Sequence, residues 1–386
     1  MDTGFSYPFF EGFLLDVSNY LICILVFYIL LKRKIISFDL FILFSVFSLT
    51  PFFFNNVLIS WTEFYDQKKY LVLSDQFRNT FFNEGTILKK REGLTLKVYL
   101  TSFIYSLFPV VNFYSINSIA FINKLIFCLT MAYMYHRNIF SKNYVILIFI
   151  FPSIIFFSSF SLRDTLILSI MLLILGSYLN KNYTLSIILS FLLIIIKLQN
   201  FIFVIAIISF TEYYNYTKKN KDIKIHIFSL VAIFVILLSN LGFILEKINF
   251  FREGLFSEEF GEYKNTLSPL LYQKYFKIDL NLNSLYLLFI SIINFLFSPI
   301  SKIDSFMSVV ALFEIFMFVF LFFIIYQKYK KKKNKLFFFL ALTIFLSLVF
   351  VYSLLIFNEI TVIRYRYPII LFFLSYLYSF NRVGTK

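Results

Sequence analysis

Residues 305–357 read SFMSVVALFEIFMFVFLFFIIYQKYKKKKNKLFFFLALTIFLSLVFVYSLLIF, in which two apolar runs flank six lysines between positions 328 and 335. Each run has about 22 residues, close to the length of an α-helix that crosses a bilayer. Lysines clustered between two such runs are typical of a short cytoplasmic loop. This stretch therefore predicts a pair of transmembrane helices with their connecting loop in the cytoplasm.

The rest of the chain repeats this alternation of apolar runs and short polar loops. Runs that could cross a membrane occupy residues 12–31, 38–61, 116–135, 143–161, 165–179, 183–196, 201–214, 224–245, 305–326, 336–357 and 367–380. Hydrophobic residues make up 60% of the 386 positions, which leaves too little polar surface for a soluble globule. The sequence predicts an all-α polytopic membrane protein of about 11 transmembrane helices, forming one domain over residues 1–386.

The net charge of +15 is concentrated in six short stretches beside these runs. They comprise residues 32–34, 137–142, 181, 218–224, 328–335 and 382–386. These stretches hold 18 of the 36 basic residues with three acidic neighbours, and the other 18 basic residues are balanced by 18 acidic ones. Because positive loops mark cytoplasmic ends, we expect the N-terminus outside and the C-terminus inside.

This orientation leaves two large outer regions, 62–115 and 246–304. Each contains an apolar segment, 98–111 and 284–300, that would reverse the charge assignment if it crossed the membrane. We expect both to be interfacial helices in periplasmic loops, with two real crossings as the alternative.

Several classes of function are disfavoured by the sequence. The basic residues form no long patch, which argues against nucleic-acid binding and leaves membrane lipids as their expected contacts. Cys23 and Cys128 lie in apolar runs, and no cluster of histidines, cysteines or carboxylates has the spacing of a metal site. A glycine-rich phosphate-binding loop is missing too, so ATP-driven transport is not indicated. We expect neither a metal nor another cofactor.

A polar break interrupts the 32-residue apolar stretch 183–214 at Lys197, Gln199 and Asn200. One continuous helix would place the basic residues on its two sides on opposite faces of the membrane. Two short helices meeting at the break would keep both in the cytoplasm and bring the break to the outer side. Helices of about 14 residues are too short to cross a full bilayer, so this arrangement implies a water-filled recess that opens outward.

Charged residues at the outer ends of the predicted spans could bind an anion. Ser161-Leu162-Arg163-Asp164 joins two apolar runs, and an arginine there either faces a cavity or reaches from a helix end to the interface. Lys197 is a second such cation, although a buried ion pair with Asp164 would also explain it. We assign Lys197, Asp164 and Gln199 to substrate binding.

A third cationic site, Ile363-Arg364-Tyr365-Arg366-Tyr367-Pro368, precedes the last predicted span. Four cations from three separate turns, gathered in one outward recess, would hold a strongly anionic group, and a diphosphate fits best. Tyr365 and Tyr367 could stack on sugar rings or belong to the interfacial aromatic belt.

The first outer region begins Trp61-Thr62-Glu63-Phe64-Tyr65-Asp66-Gln67-Lys68-Lys69-Tyr70. A carboxylate just beyond a span, at the mouth of a recess, is where a general base for a sugar hydroxyl would lie. Asp66 is our candidate for this base and Lys69 for a substrate contact, with a simple solvated acid as the alternative for Asp66.

At these residues the chain resembles the bacterial polysaccharide polymerases of the O-antigen (Wzy) type. Pro152-Ser-Ile-Ile-Phe-Phe-Ser-Ser-Phe-Ser-Leu-Arg-Asp164 resembles their Leu-Arg-Asp turn. Asn294-Phe-Leu-Phe-Ser-Pro299, followed by Ala311-Leu-Phe-Glu314, is similar to a second shared block. Arg364-Tyr-Arg-Tyr-Pro368 is similar to a closing basic turn found there and in glycosyltransferases with the C-type membrane fold.

The resemblance implies a glycosyltransferase of the bacterial inner membrane that acts on its periplasmic face in lipopolysaccharide or other polysaccharide biosynthesis. It would transfer a growing glycan from undecaprenyl diphosphate to the next lipid-linked repeat unit, and a chain-length regulator protein is a further expected partner. Arg163, Lys197, Arg364 and Arg366 would neutralise the departing diphosphate, and Asp66 would accept the proton of the attacking hydroxyl. No metal enters this mechanism.

One departure from the C-type transferases concerns the base. They usually carry a close acidic pair in the first outer loop, whereas Glu63 and Asp66 are three residues apart here. Three alternatives to a polymerase stay open: a transferase that adds one sugar from a lipid monophosphate, a flippase for lipid-linked glycans, and a structural membrane subunit.

Overall fold

A computed structural model describes most of the chain. The described residues are 9–55, 57–59, 64, 66–82, 95–110, 113, 115–220, 246, 249–250, 289, 292–293, 295–297, 306–332, 334–355 and 359–383. These residues are almost entirely helical and contain no strand. The predicted span 224–245 and most of residues 246–304, including most of the predicted interfacial helix 284–300, lie outside them.

Most helices of the described residues follow the predicted apolar runs, whereas the helix over residues 66–82 lies in the polar region 62–115. They are α1 (Phe9–Lys32), α2 (Phe38–Phe47), α3 (Pro51–Phe54), α4 (Asp66–Phe82), α5 (Leu96–Ser106), α6 (Ser118–His136), α7 (Lys142–Phe149), α8 (Pro152–Phe157), α9 (Asp164–Leu179), α10 (Tyr183–Asn220), α11 (Phe306–Lys331), α12 (Lys335–Leu355) and α13 (Glu359–Val383). Helix α5 has 11 residues, or about 16 Å, and is therefore too short to cross a bilayer.

Four helices of the described residues are long and apolar enough to cross a membrane. They are Gly12–Lys32, Ser118–His136, Tyr183–Tyr216 and Phe306–Lys331. Shorter apolar segments occur at Phe38–Phe54, which α2 and α3 form together, and at Asp164–Leu179 and Lys335–Phe350. The chain is thus an all-α protein with the helices of a membrane protein.

The helices differ from the predicted segments at three places, each near a proline. The predicted spans 38–61 and 143–161 are interrupted, with new helices beginning at Pro51 and Pro152. Proline can start a helix, but it has no N–H to continue the preceding one. Conversely, α13 begins at Glu359 and continues through Pro368, so residues 363–368 are helical and do not form the predicted turn.

The chain divides into two compact units. The first consists of Met1–Val204, Phe316–Tyr329 and Tyr367–Lys386, and the second of Ile205–Ile315 and Lys330–Arg366. Aromatic rings fill part of the first unit where α2, α6 and α7 meet. The ring of Phe149 lies 4.7 Å from that of Phe47 and 5.3 Å from that of Phe127. Both cysteines, Cys23 and Cys128, are buried and free, as expected of packing residues.

Basic segments of the first unit gather at one end. Lys142, at the start of α7, forms an ion pair with Asp39 of α2. The preceding Ser141 hydroxyl lies 2.7 Å from that of Tyr378 in α13, and Lys328 lies over the ring of Tyr378 at 4.8 Å. Residues of two predicted cytoplasmic stretches, 137–142 and 328–335, meet here around Tyr378, which agrees with the charge pattern.

Helix α10 is divided at Lys197, whose backbone is non-helical at φ −157° and ψ 90°, so the predicted break is confirmed. A three-residue connection joins the C-terminal end of α9 to the start of α10, whereas Lys197 Nζ lies 4.0 Å from Asp164 at the opposite end of α9. Beyond the break, Asn200 Nδ2 is 3.2 Å from the sulfur of Met171, seven residues further along α9. The chain therefore turns back at Lys197 and runs parallel to α9.

Candidate functional site

The Leu-Arg-Asp segment connects α8 to α9, and helix α4 holds its start. The backbone N–H of Ser161 donates to Gln67 Oε1 at 2.9 Å, and the Ser161 hydroxyl donates to the carbonyl of Ile116. Asn55 Nδ2 donates to the same Gln67 oxygen at 3.1 Å, and both Gln67 and Asn55 are buried. A buried amide with several hydrogen-bond partners has one orientation, so the Gln67 side chain fixes the backbone at the start of the segment.

Side chains from α5 and α6 hold the next two residues. Asn123 Nδ2 lies 3.0 Å from the carbonyl oxygen of Phe160 and 2.7 Å from that of Leu162. The Tyr105 hydroxyl lies 3.0 Å from both the Leu162 oxygen and Asn123 Oδ1. These buried contacts surround the backbone immediately before Arg163, whose own side chain is partly exposed. The position of Arg163 is therefore set by helices α4, α5 and α6.

Asp164 is the first residue of α9, and its carboxylate faces the ammonium group of Lys197. Their charged atoms are 4.0 Å apart, and the side chains of Lys197 and Asp164 are only 7% and 1% exposed. A carboxylate at the start of a helix interacts favourably with the N–H groups there. This geometry fits the alternative interpretation of Lys197, in which it forms a buried ion pair with Asp164. The side chain of Gln199 is exposed.

The candidate base Asp66 lies in the first turn of α4, directly before Gln67. Its carboxylate is 41% exposed and forms an ion pair of 3.2 Å with Lys69. Asp66 and the Leu-Arg-Asp segment are thus at the same end of α4, because Gln67 touches Ser161. Exposure leaves the Asp66 carboxylate accessible to a substrate hydroxyl.

Helices α4 and α5 are joined by polar contacts. The Ser74 hydroxyl donates to the carbonyl of Ser102 at 3.1 Å, and Arg78 donates to the carbonyls of Ser106 and Val110 at 3.1 and 2.6 Å. Partial burial raises the pKa of Asp75 above its ordinary value and lowers that of Arg78. The described part of residues 62–115 therefore contains a packed helix pair.

In the second unit, Arg366 is fully buried. Its Nε donates to Glu314 Oε1 at 3.0 Å, and both side chains have no exposed surface. Its Nη1 lies 3.4 and 3.2 Å from the carbonyl oxygens of Phe295 and Leu296. Two of the sequence blocks that carry the resemblance meet in this cluster, the one over residues 294–314 and the one over residues 364–368. The guanidinium of Arg366 holds these segments together.

The neighbours of Arg366 differ in exposure. Arg364 and Tyr365 of the second unit are partly exposed, with the guanidinium carbon 5.8 Å from the centre of the ring. Tyr367 of the first unit is buried, stacks on Phe157 at 5.0 Å and has its hydroxyl 3.3 Å from Thr165 Oγ1. Tyr367 is thus a packing residue in this structure. The gathering of Arg163 and Lys197 with Arg364 and Arg366 stays a prediction.

Sequence reasoning missed three residues of these networks, Gln67, Tyr105 and Asn123, and also the buried Lys124 next to Asn123 in α6. The adjacent Asn123 and Lys124 interrupt the apolar run 116–135, and two polar residues inside a predicted span are a recognisable signal. Gln67 and Tyr105 carried no such signal, because they lie in ordinary amphipathic sequence.

Among the described residues, no group of three or more histidines, cysteines or carboxylates is placed to hold a metal ion. Comparison of the chain with models of protein families, with curated proteins and with solved structures finds no match.

Proposed function

We propose that this chain is a glycosyltransferase of the bacterial inner membrane that polymerises lipid-linked oligosaccharide repeat units. The donor would be a glycan on undecaprenyl diphosphate and the acceptor the next lipid-linked repeat unit. The observation that carries the proposal is the fixed backbone before Arg163. Buried side chains from three helices hold the turn, while Arg163 itself keeps a partly exposed side chain.

In the proposed reaction, a sugar hydroxyl of the acceptor attacks the anomeric carbon of the donor. The bond from that carbon to the diphosphate oxygen breaks, and the diphosphate leaves with the electron pair. Arg163 binds its oxygens with a guanidinium that matches phosphate geometry and keeps its charge. A fixed cation beside a leaving group lowers the barrier because no reorganisation is needed as charge develops. Asp66 accepts the proton of the attacking hydroxyl.

The finer topology belongs to the same proposal: 11 spans, an outer N-terminus, a cytoplasmic C-terminus and a reaction at the periplasmic face. Two features support it. Basic stretches of the first unit meet at one end, through Lys142 and Lys328, and the turn at Lys197 lies beside Asp164 at the other end of α9. Positive charge at the first end favours the cytoplasm, so the Leu-Arg-Asp segment would face the periplasm.

Complementation of cells that lack this chain tests the proposal. Cells would carry the wild type, Arg163→Ala or Arg137→Ala, the last an exposed arginine at the basic end that serves as a matched control. We expect a full ladder of polysaccharide lengths from the wild type and the control, and single repeat units from Arg163→Ala at equal protein level.

Two results would contradict the proposal. A full ladder from Arg163→Ala cells would remove Arg163 from the reaction. Deletion of the chain with an unchanged ladder and one missing side sugar would indicate a single-addition transferase instead.

A further inference from the structure

Lys124 is a fully buried lysine in the second turn of α6, a helix long enough to cross the membrane. Its ammonium lies 2.6 Å from the Ser158 hydroxyl and 3.1 Å from the carbonyl oxygen of Ile155. The ring of Phe47 covers it at 3.7 Å from the centroid. Among the described residues, no carboxylate lies within ion-pair distance of Lys124. Its partners are a carbonyl, a hydroxyl and an aromatic face.

These partners suit a cation at the end of a helix. Ile155 lies in the last turn of α8, at the negative end of the helix dipole, and its carbonyl accepts from the Ser159 hydroxyl at 2.6 Å as well as from Lys124. An aromatic face adds to the stabilisation of a desolvated ammonium. A buried lysine is costly at membrane depth, and such residues commonly have a function.

The neighbour of Lys124 holds the other end of the same connector. Asn123 binds the carbonyl oxygens of Phe160 and Leu162, whereas Lys124 binds Ile155 and Ser158. Two consecutive residues of α6 therefore hold four points of the segment 155–162. This segment runs directly into Arg163, so its shape determines where the guanidinium lies.

We infer that Lys124 is a positioning residue, which places Arg163 by fixing the connector between α8 and α9. This inference rests on the proposed function for its role in catalysis, since Arg163 is the residue that would touch the diphosphate. The placement of Arg163 by Lys124 does not depend on the proposed function and can be measured separately from activity.

Cysteine labelling measures the positioning without any enzymatic assay. Arg163→Cys is placed in a background with Cys23→Ala and Cys128→Ala, and the purified protein is labelled with a charged thiosulfonate reagent. We expect Lys124→Met to change the labelling rate of the new thiol about tenfold, because hydrogen bonds from a charged donor are lost. Lys124→Arg keeps a cation that can donate to both oxygens and should leave the rate within about twofold.

Lys97→Met is the matched control, since Lys97 is an exposed lysine on α5. If Lys124→Met does not reach the membrane, Lys124→Gln replaces it in the labelling experiment, because glutamine keeps a hydrogen-bond donor but removes the charge. Equal labelling rates in the wild-type background and in every Lys124 variant would overturn the inference.

Polymerisation is then measured in the protein that retains Arg163. We expect Lys124→Met to lower kcat about tenfold with little change in KM, and Lys124→Arg to restore it, because the loss concerns the placement of a group at the leaving diphosphate. If labelling changes but polymerisation does not, the inference that Lys124 positions Arg163 is supported and the proposed role of Arg163 in the reaction is refuted. Unaltered labelling would refute the inference even if Arg163→Ala abolishes the polysaccharide ladder.

Discussion

Removal of Glu314 should destabilise the second unit strongly. Glu314→Ala would leave the guanidinium of Arg366 buried without its carboxylate, and breaking a buried pair from one side costs about 3–5 kcal/mol. The carbonyls of Phe295 and Leu296 would still accept hydrogen bonds from the guanidinium, which places the expected loss near the lower limit, about 3 kcal/mol. Arg366→Met should cost more, because it also leaves two carbonyls without a donor.

A double-mutant cycle separates the pair from its surroundings. Glu314→Ala with Arg366→Met removes both charges and leaves the two carbonyls without the guanidinium donor, which costs about 2 kcal/mol. The double variant should therefore be more stable than Arg366→Met alone. Thermal midpoints of the purified protein in detergent measure this. At about 2 °C per kcal/mol, Glu314→Ala should lower the midpoint by roughly 6 °C.

Glu212→Ala is the control, since Glu212 is an exposed glutamate of the same unit. Its midpoint should stay within about 1 °C of the wild type, as for most surface changes. Two outcomes would refute the reasoning: a Glu314→Ala protein as stable as the wild type, or a double variant whose loss equals the sum of the two single losses.

Two further predictions concern the first unit. Gly176→Ala should lower the thermal midpoint by the equivalent of about 1–3 kcal/mol, because a Cβ there would lie 2.6 Å from the buried Met134 sulfur. Adding Met134→Ala should recover part of the loss. An unchanged midpoint for Gly176→Ala would contradict this close packing of α9 on α6. Asp75→Asn should make the protein at least as stable as the wild type at pH 7. Burial raises the pKa of Asp75, so the protonated form is favoured in the folded state and stability is lost as pH rises through that pKa. The midpoints of the two proteins should converge towards pH 4, and a variant less stable than the wild type at pH 7 would show that the carboxylate is stabilising.

The sequence was informative about the class of protein and the positions of most helices. Apolar runs of membrane length predicted helical segments, and the lysine-rich loops predicted the grouping of basic segments that Lys142 and Lys328 display in the first unit. The polar break at Lys197 was predicted because charge inside an apolar stretch is costly in a continuous membrane helix. The predictions at two prolines differ from the structure. Pro152 begins a new helix inside a predicted span, whereas Pro368 lies inside α13, where a turn was predicted.

The sequence by itself determined that most of the described apolar runs are helical, since membrane-length apolar runs satisfy their backbone groups only as helices in lipid. It also supplied the candidate cations, because an arginine or lysine within such runs is rare. Only the tertiary structure decided their partners. Arg366 is enclosed with Glu314, and Arg163 follows a backbone held by Gln67, Tyr105 and Asn123. Those contacts join residues far apart along the chain, and no local pattern encodes which buried polar groups will meet.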